Sequence, residues 1–227
     1  PDFILPDNFH FIYSNTKPVQ CCEIAALLCT GETMLAVTDD CHLSPYALDI
    51  LYDEYKKQND YKSIVASKYV GITNTPSSIE EIQKQADAIS INGDENQLIS
   101  GNPNSIKTYV FGIMSNKFFK EIGGFDKRFI MVFGDMDMQI RAYLMGSKLT
   151  YCENVFGAER KDLCPNWREG TSKNWSDTDH KRLRSLWFKD EIISWENFTG
   201  KRTSELKSFE ENDTLLDISQ GPKGQWD

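Results

Sequence analysis

The sequence predicts an α/β fold with a mostly parallel central sheet flanked by helices, followed by a helical C-terminal extension. Three observations carry this expectation. Strand and helix patterns alternate over residues 9–66, the signature of strand–helix–strand units. Met34-Leu35-Ala36-Val37 is a continuous apolar run, the kind of strand found in a sheet covered on both faces. The 227 residues are 40% hydrophobic and 26% charged, ordinary globular usage and enough for one large domain or two small ones.

Each element has its own signal. Phe9-His10-Phe11-Ile12-Tyr13 reads as a short strand of aromatic and β-branched types. Residues 20–30 read as a buried helix through Cys21, Ile24, Ala25, Leu27 and Leu28, closed by Gly31 in a left-handed cap. The apolar strand at 34–37 then runs into Thr38-Asp39-Asp40. Ser44-Pro45 supplies an N-cap and a first-turn proline for a helix through Leu48, Leu51, Tyr52 and Tyr55. Lys56-Lys57 end it where the helix dipole favours cations. Ser63-Ile64-Val65-Ala66 is the next strand.

Residues 71–106 are rich in Asn, Ser, Gly, Gln and Glu and read as a long excursion near the functional site. A short helix at 78–88, with a capping-box start, interrupts it. Strand returns at 109–114, a short helix covers 116–122, and Gly123-Gly124-Phe125-Asp126 is a turn. Asp135 is expected to cap a helix carrying Met136, Ile140, Tyr143 and Leu144, closed by Gly146. Lys148-Leu149-Thr150-Tyr151 is the last strand. Beyond residue 160 the chain becomes Trp-rich and charged, with an amphipathic helix at 180–189 and a loosely held polar tail from Lys201.

Several function classes fall away on composition. A net charge of -9 argues against a nucleic-acid partner, because cations must outweigh phosphate repulsion. No apolar run approaches the ~18–20 residues that span a bilayer, so no integral membrane segment is expected. The start, Pro1-Asp2-Phe3-Ile4-Leu5-Pro6, lacks the features of a signal peptide and has no initiator Met. The chain is expected to begin inside a longer domain. Six cysteines without any C-x-x-C pair read as reduced, mostly buried thiols, which places the protein in the cytoplasm.

Two carboxylate groups could carry chemistry. Asp39 and Asp40 follow the apolar strand directly, and ligands gather at the carboxyl ends of strands in open α/β sheets. They either hold a divalent cation together with substrate phosphates or satisfy backbone groups of a loop. In Gly134-Asp135-Met136-Asp137, a cleft-facing carboxylate is placed to act as general base for a hydroxyl; the alternative is a helix cap. The indoles of Trp167, Trp175, Trp187 and Trp195 either stack on sugar rings or anchor a peripheral helix to a core, with Trp167 the candidate for stacking.

The order of these motifs is recognisable. The run from Leu35 through Thr38-Asp39-Asp40 to Ser44-Pro45-Tyr46-Ala47-Leu48 resembles the strand, Asp-rich metal motif and following helix of GT-A-fold glycosyltransferases, family 2 in particular. The run Gly123-Gly124-Phe125-Asp126-Lys127-Arg128-Phe129, then Gly134-Asp135-Met136-Asp137 to Arg141 and Gly146, is similar to that family's GGFDERF and EDxDLxxRxxxxG segments. The resemblance covers residues 9–157. It implies a GT-A-like domain over residues 1–160, N-terminally incomplete, and an extension over 161–227.

The resemblance further implies an inverting transferase that moves a sugar from a nucleotide-sugar donor to the hydroxyl of a saccharide or lipid-linked acceptor. Asp40, assisted by Asp39, would hold Mn2+ or Mg2+ at the donor diphosphate, and the metal motif begins at either Thr38 or Asp39. Asp135 would be the catalytic base, with Asp137 and Arg141 in supporting roles. His180 is a distant candidate to complete the metal site. The Glu of the family's Glu-Asp pair is Gly134 here, and no opening strand and nucleotide loop precede Phe9. Those departures motivate a second expectation, a non-catalytic carbohydrate- or partner-binding domain on the same fold. A metal-dependent nucleotidyltransferase is a third.

Overall fold

A computed structural model describes residues 17–38, 40–72, 78–88, 98, 106–160 and 171–208. Five strands form one curled sheet: β1 (Thr33–Leu35), β2 (Cys41–Leu43), β3 (Ile64–Ile72), β4 (Gly112–Ser115) and β5 (Leu149–Arg160). Six helices flank it: α1 (Pro18–Leu28), α2 (Ala47–Gln58), α3 (Ile79–Asp87), α4 (Asn116–Glu121), α5 (Gly134–Leu144) and α6 (Thr171–Trp187). The α/β class read from the sequence holds. The strand expected at 9–13 lies outside the described residues.

The strand order is β1-β4-β3-β5-β2. Among the described pairings only β3 with β5 is parallel; β1–β4, β3–β4 and β2–β5 are antiparallel. The sheet is therefore mixed, not mostly parallel. Apolar runs of three or four residues reveal burial but not direction, and β1 is a half-buried edge strand. Between β3 and β5 the register shifts after Ser67, where Ser67 faces Cys152 but Lys68 faces Phe156. Such an irregularity bends a strand and increases its twist.

Helix α1 lies on the opposite face from the one its apolar pattern suggests. Cys21, Ala25, Leu27 and Leu28 are exposed, whereas Val19, Gln20, Glu23 and Ala26 are buried. The polar pair is buried because it is bonded. Gln20 donates through Nε2 to the Lys127 carbonyl at 2.7 Å, and Glu23 accepts from the Phe125 N–H at 2.7 Å. The helix also ends at Leu28, before Gly31.

Helix α2 begins at Ala47 after Tyr46 in the left-handed region. Ser44 is not its cap: its N–H donates to the Phe156 carbonyl and its hydroxyl accepts from the Phe156 N–H, tying the loop to β5. Ser78 does cap α3, accepting from the Glu81 N–H at 3.3 Å. The main core gathers Phe118, Phe129, Ile140, Leu183 and Trp187, so α6 contributes to the same core as α1, α4 and α5.

The segment after α6 is not loosely held as far as it is described. Arg202, 10% exposed at its side chain, pairs with Asp126 and Asp137. The Lys127 N–H donates to the Lys207 carbonyl at 2.9 Å. Polar composition signalled solvent, but these polar groups have buried partners. The helix expected at 180–189 starts earlier, at Thr171. Trp175 and Trp187 are buried to 2% and 1% exposure, which closes their faces to a ligand.

Candidate active site

Strand β1 and helix α5 meet at a narrow pocket lined by Met34, Ala36, Tyr109, Asp135, Met138 and Gln139. Its volume is about 40 Å³, room on the scale of a few water molecules. Ala36 belongs to the segment that crosses from β1, at one edge of the sheet, to β2 at the other. Asp40 stands at the far end of that crossing, immediately before β2. The structure thus puts Asp135 in the pocket where the crossing starts and Asp40 where it ends.

Asp135 is the second residue of α5 and not its cap. The cap position belongs to Phe133, whose φ of 64° is left-handed and which gives no side-chain capping bond. Burial raises the Asp135 pKa, opposed by hydrogen bonds from backbone N–H groups of the first turn. Tyr109 and Cys22 feel its charge: Tyr109 is raised first by its own burial and then by Asp135, and Cys22 by burial, then by Cys21, then by Asp135. Gln139 holds Tyr109 in place with a paired contact. The Tyr109 N–H donates to Gln139 Oε1 at 3.0 Å, and Gln139 Nε2 donates to the Tyr109 carbonyl at 2.8 Å.

Gly134 stands where the resembled pattern has Glu, and packing gives the reason. A Cβ at Gly134 would lie 2.5 Å from Cγ1 of Val19 and 3.2 Å from Cβ of Phe129. Helix α1 approaches α5 too closely for a side chain there.

Asp137 is fully buried and points away from the pocket into a charge network. Its Oδ2 accepts from Arg141 Nε at 3.0 Å. Its Oδ1 accepts from Trp187 Nε1 and from Arg202 Nε, each at 2.9 Å. Arg141 also donates to the carbonyls of Ile122 and Gly124, fixing the glycine turn. Asp126 of that turn pairs with Arg128 and Arg202. Burial would raise its carboxyl, but hydrogen bonds from Arg128 and Arg202 outweigh burial and hold it at about 2.

Glu23 faces the same turn. Burial lifts its pKa to about 7, against the Phe125 hydrogen bond and the Arg141 charge. Asp179 of α6 accepts from the backbone N–H groups of Ile130, Met131 and Val132, organising the approach to α5. None of Glu23, Gln139, Asp179 and Arg202 stands out in sequence, because each works through a partner 30 or more positions away.

Of the remaining candidates, Asp39 and Trp167 lie outside the described residues. Asp40 is half-buried, and its Oδ1 is enclosed without a hydrogen-bond partner. Such an oxygen suits a cation, and a divalent ion takes one or two carboxylates with the rest of its shell from substrate phosphate and water. The described residues contain no cluster of three or more His, Cys, Asp or Glu suited to a metal. His180 does not turn toward Asp40's loop; its ring stacks on Phe133, centroids 4.9 Å apart. The Cys41 thiol beside Asp40 is pushed up to about 12, by burial first and then by the Asp40 and Glu159 carboxylates. It is a neutral thiol at physiological pH. None of the five described cysteines is in a disulfide.

No family model matches the chain, and no curated protein matches it in sequence. Solved structures do. The structure of GalNAc-T7 with UDP, GalNAc and Mn2+ is 10% identical, with a TM-score of 0.50, over 78% of this chain and 36% of that one. The structure of S. aureus TarS 1–349 is 13% identical, with a TM-score of 0.46, over 74% of this chain and 49% of that one. This chain therefore spans less than half the length of either. At this identity the likeness is one of fold: the sheet and helices form a GT-A-like, glycosyltransferase-type α/β architecture. Among the described residues no helix is long and apolar enough to cross a membrane.

Proposed function

We propose that this chain carries the acceptor side and part of the metal site of an inverting glycosyltransferase. It would transfer a sugar from a nucleotide-sugar donor to the hydroxyl of a saccharide or lipid-linked acceptor. The observation that supports this best is Asp135: a carboxylate with a raised pKa, in the pocket where β1 ends, on a crossing that leads to Asp40. A carboxyl raised by burial is a stronger base when ionised, as proton abstraction from an acceptor hydroxyl requires.

In this reading Asp135 takes the proton while the acceptor oxygen attacks the anomeric carbon. The bond to the diphosphate breaks on the opposite face. Asp40, with Asp39, would hold Mn2+ or Mg2+, which supplies Lewis-acid stabilisation to a departing diphosphate. Tyr109, held by Gln139, walls the pocket beside the base, and Met34 and Met138 offer an apolar, adaptable lining.

A second reading is a binding domain that keeps the fold without turnover. The small pocket at Asp135 and the loss of the Glu at Gly134 favour it. Calorimetric titration with UDP, GDP and dTDP, each with and without Mn2+, separates the two. Binding that needs metal and vanishes in Asp40→Ala supports the donor site and names its nucleotide. Absence of binding to all three removes the transferase reading for this chain, and saccharide binding without metal would then favour the binding domain. Release of pyrophosphate from a nucleoside triphosphate and a sugar phosphate would identify a nucleotidyltransferase instead.

A further inference from the structure

Residues 199–207 run across the glycine turn and the base of α5, and nearly every position is tied down. The Thr199 N–H donates to the Trp187 carbonyl and the Thr203 N–H to the Leu186 carbonyl, each at 3.0 Å. Arg128 donates to Ser204 Oγ at 3.2 Å and to the Glu205 carbonyl at 2.8 Å. Leu206 fills the space beside Gly123 that a Cβ would need. At the centre, Arg202 reaches Asp137 Oδ1 through Nε at 2.9 Å and Asp126 Oδ2 through Nη2 at 2.5 Å.

We propose that Arg202 is a positioning residue: the strap at 199–207 locks the glycine turn to α5 through it, and so sets the place of Asp135 in the pocket. This rests on the reading of Asp135 as the catalytic base. Arg202 acts by bridging, not by charge alone. Without Arg202, Asp137 keeps Arg141 and Trp187, and Asp126 keeps Arg128. Neither carboxylate is orphaned; what disappears is the side chain that holds both. Asp137 and Asp135 share the first turn of α5, so a shift of one moves the other. A guanidinium is suited to this work because its planar fork bonds two acceptors in fixed geometry, which an ammonium cannot do.

The test compares Arg202→Lys, which keeps the charge and loses the fork, and Leu206→Ala, which loosens the strap and leaves every buried ion pair. Lys201→Gln, at an exposed position, is the control. The expected result is a kcat lowered on the order of tenfold or more, with nucleotide affinity in the presence of Mn2+ within about twofold of wild type. The Trp187 indole N–H resonance should move with it, since that group shares Asp137 Oδ1 with Arg202. Unchanged kcat and an unmoved resonance in both variants would overturn the proposal, as would parallel losses of kcat and nucleotide affinity.

Should wild type turn over no donor, the base reading fails, and positioning is judged by NMR titration of the Asp135 carboxyl in the same variants. Tyr109 and Cys22 are the titratable neighbours that feel Asp135, and neither variant alters them. A shifted titration in Arg202→Lys supports the strap's role; an identical one overturns it.

Discussion

Asp135, half-buried, and Glu23, buried, both carry raised pKa values, but they face different partners. Asp135 lines the pocket, and Asp135→Asn is expected to cut turnover by about 10²- to 10⁴-fold while metal-assisted nucleotide binding persists. Because the base acts ionised and its pKa is raised, wild-type turnover should fall with acidification above the ordinary carboxylate range. A rate–pH profile checks both points. Glu23 is bonded to the Phe125 N–H and held at about 7, against 4.5 for a free glutamate. Between those values the folded chain binds the proton more tightly than the unfolded one. Stability therefore declines as pH rises through that window, by about 3 kcal/mol at most. Glu23→Gln keeps an acceptor for Phe125 and should flatten this slope in urea unfolding at pH 5 to 8; an unchanged slope would assign it elsewhere. The two carboxylate motifs were legible in sequence, but the side to which each points was not. Asp135 and Asp137 differ by two positions, and packing alone sends one to a pocket and the other to Arg141, Trp187 and Arg202.

Elements show the same division. Helices α2 to α5 lie within a few residues of where their apolar spacing placed them, although Ser44 and Asp135 do not cap α2 and α5. Helix α1 was located correctly and faced wrongly, because an apolar residue gains from burial only where the fold supplies a surface. Here Gln20 and Glu23 gain more, through hydrogen bonds to the segment at 124–127. In the sheet, Gly157 of β5 sits under the buried ring of Phe111, where a Cβ would collide with Cδ2, Cε2 and Cγ of that ring. Phe111 is 2% exposed, and close-packed interiors leave a buried ring little room to move. Gly157→Ala is expected to cost about 1–3 kcal/mol, read as a lower midpoint in denaturant with an unchanged slope. An unaltered midpoint would mean the ring swings aside.

At the scale of the molecule, α6 and the strap share one core and one charge network with the sheet domain. Leu183, Leu186 and Trp187 pack with Phe129 and Ile140, and Arg202 joins Asp126 to Asp137. Residues 171–208 should therefore unfold together with the sheet. Thermal melts followed by far-ultraviolet circular dichroism and by Trp fluorescence are expected to superimpose in a single transition. Fluorescence changing at a lower temperature would show that the C-terminal part opens by itself.

Local pattern along the chain carries the α/β class, the position of most elements, and the two Asp-bearing segments that resemble a glycosyltransferase. These depend on local spacing and turn chemistry, which a chain carries along its length. Tertiary structure alone decided strand direction, the buried face of α1, the exclusion of a side chain at Gly134, and the recruitment of Glu23, Asp179 and Arg202 around α5. Each of these is a meeting of distant residues. A short apolar run, a glutamate or an arginine has no preferred partner until the fold brings one within hydrogen-bond reach.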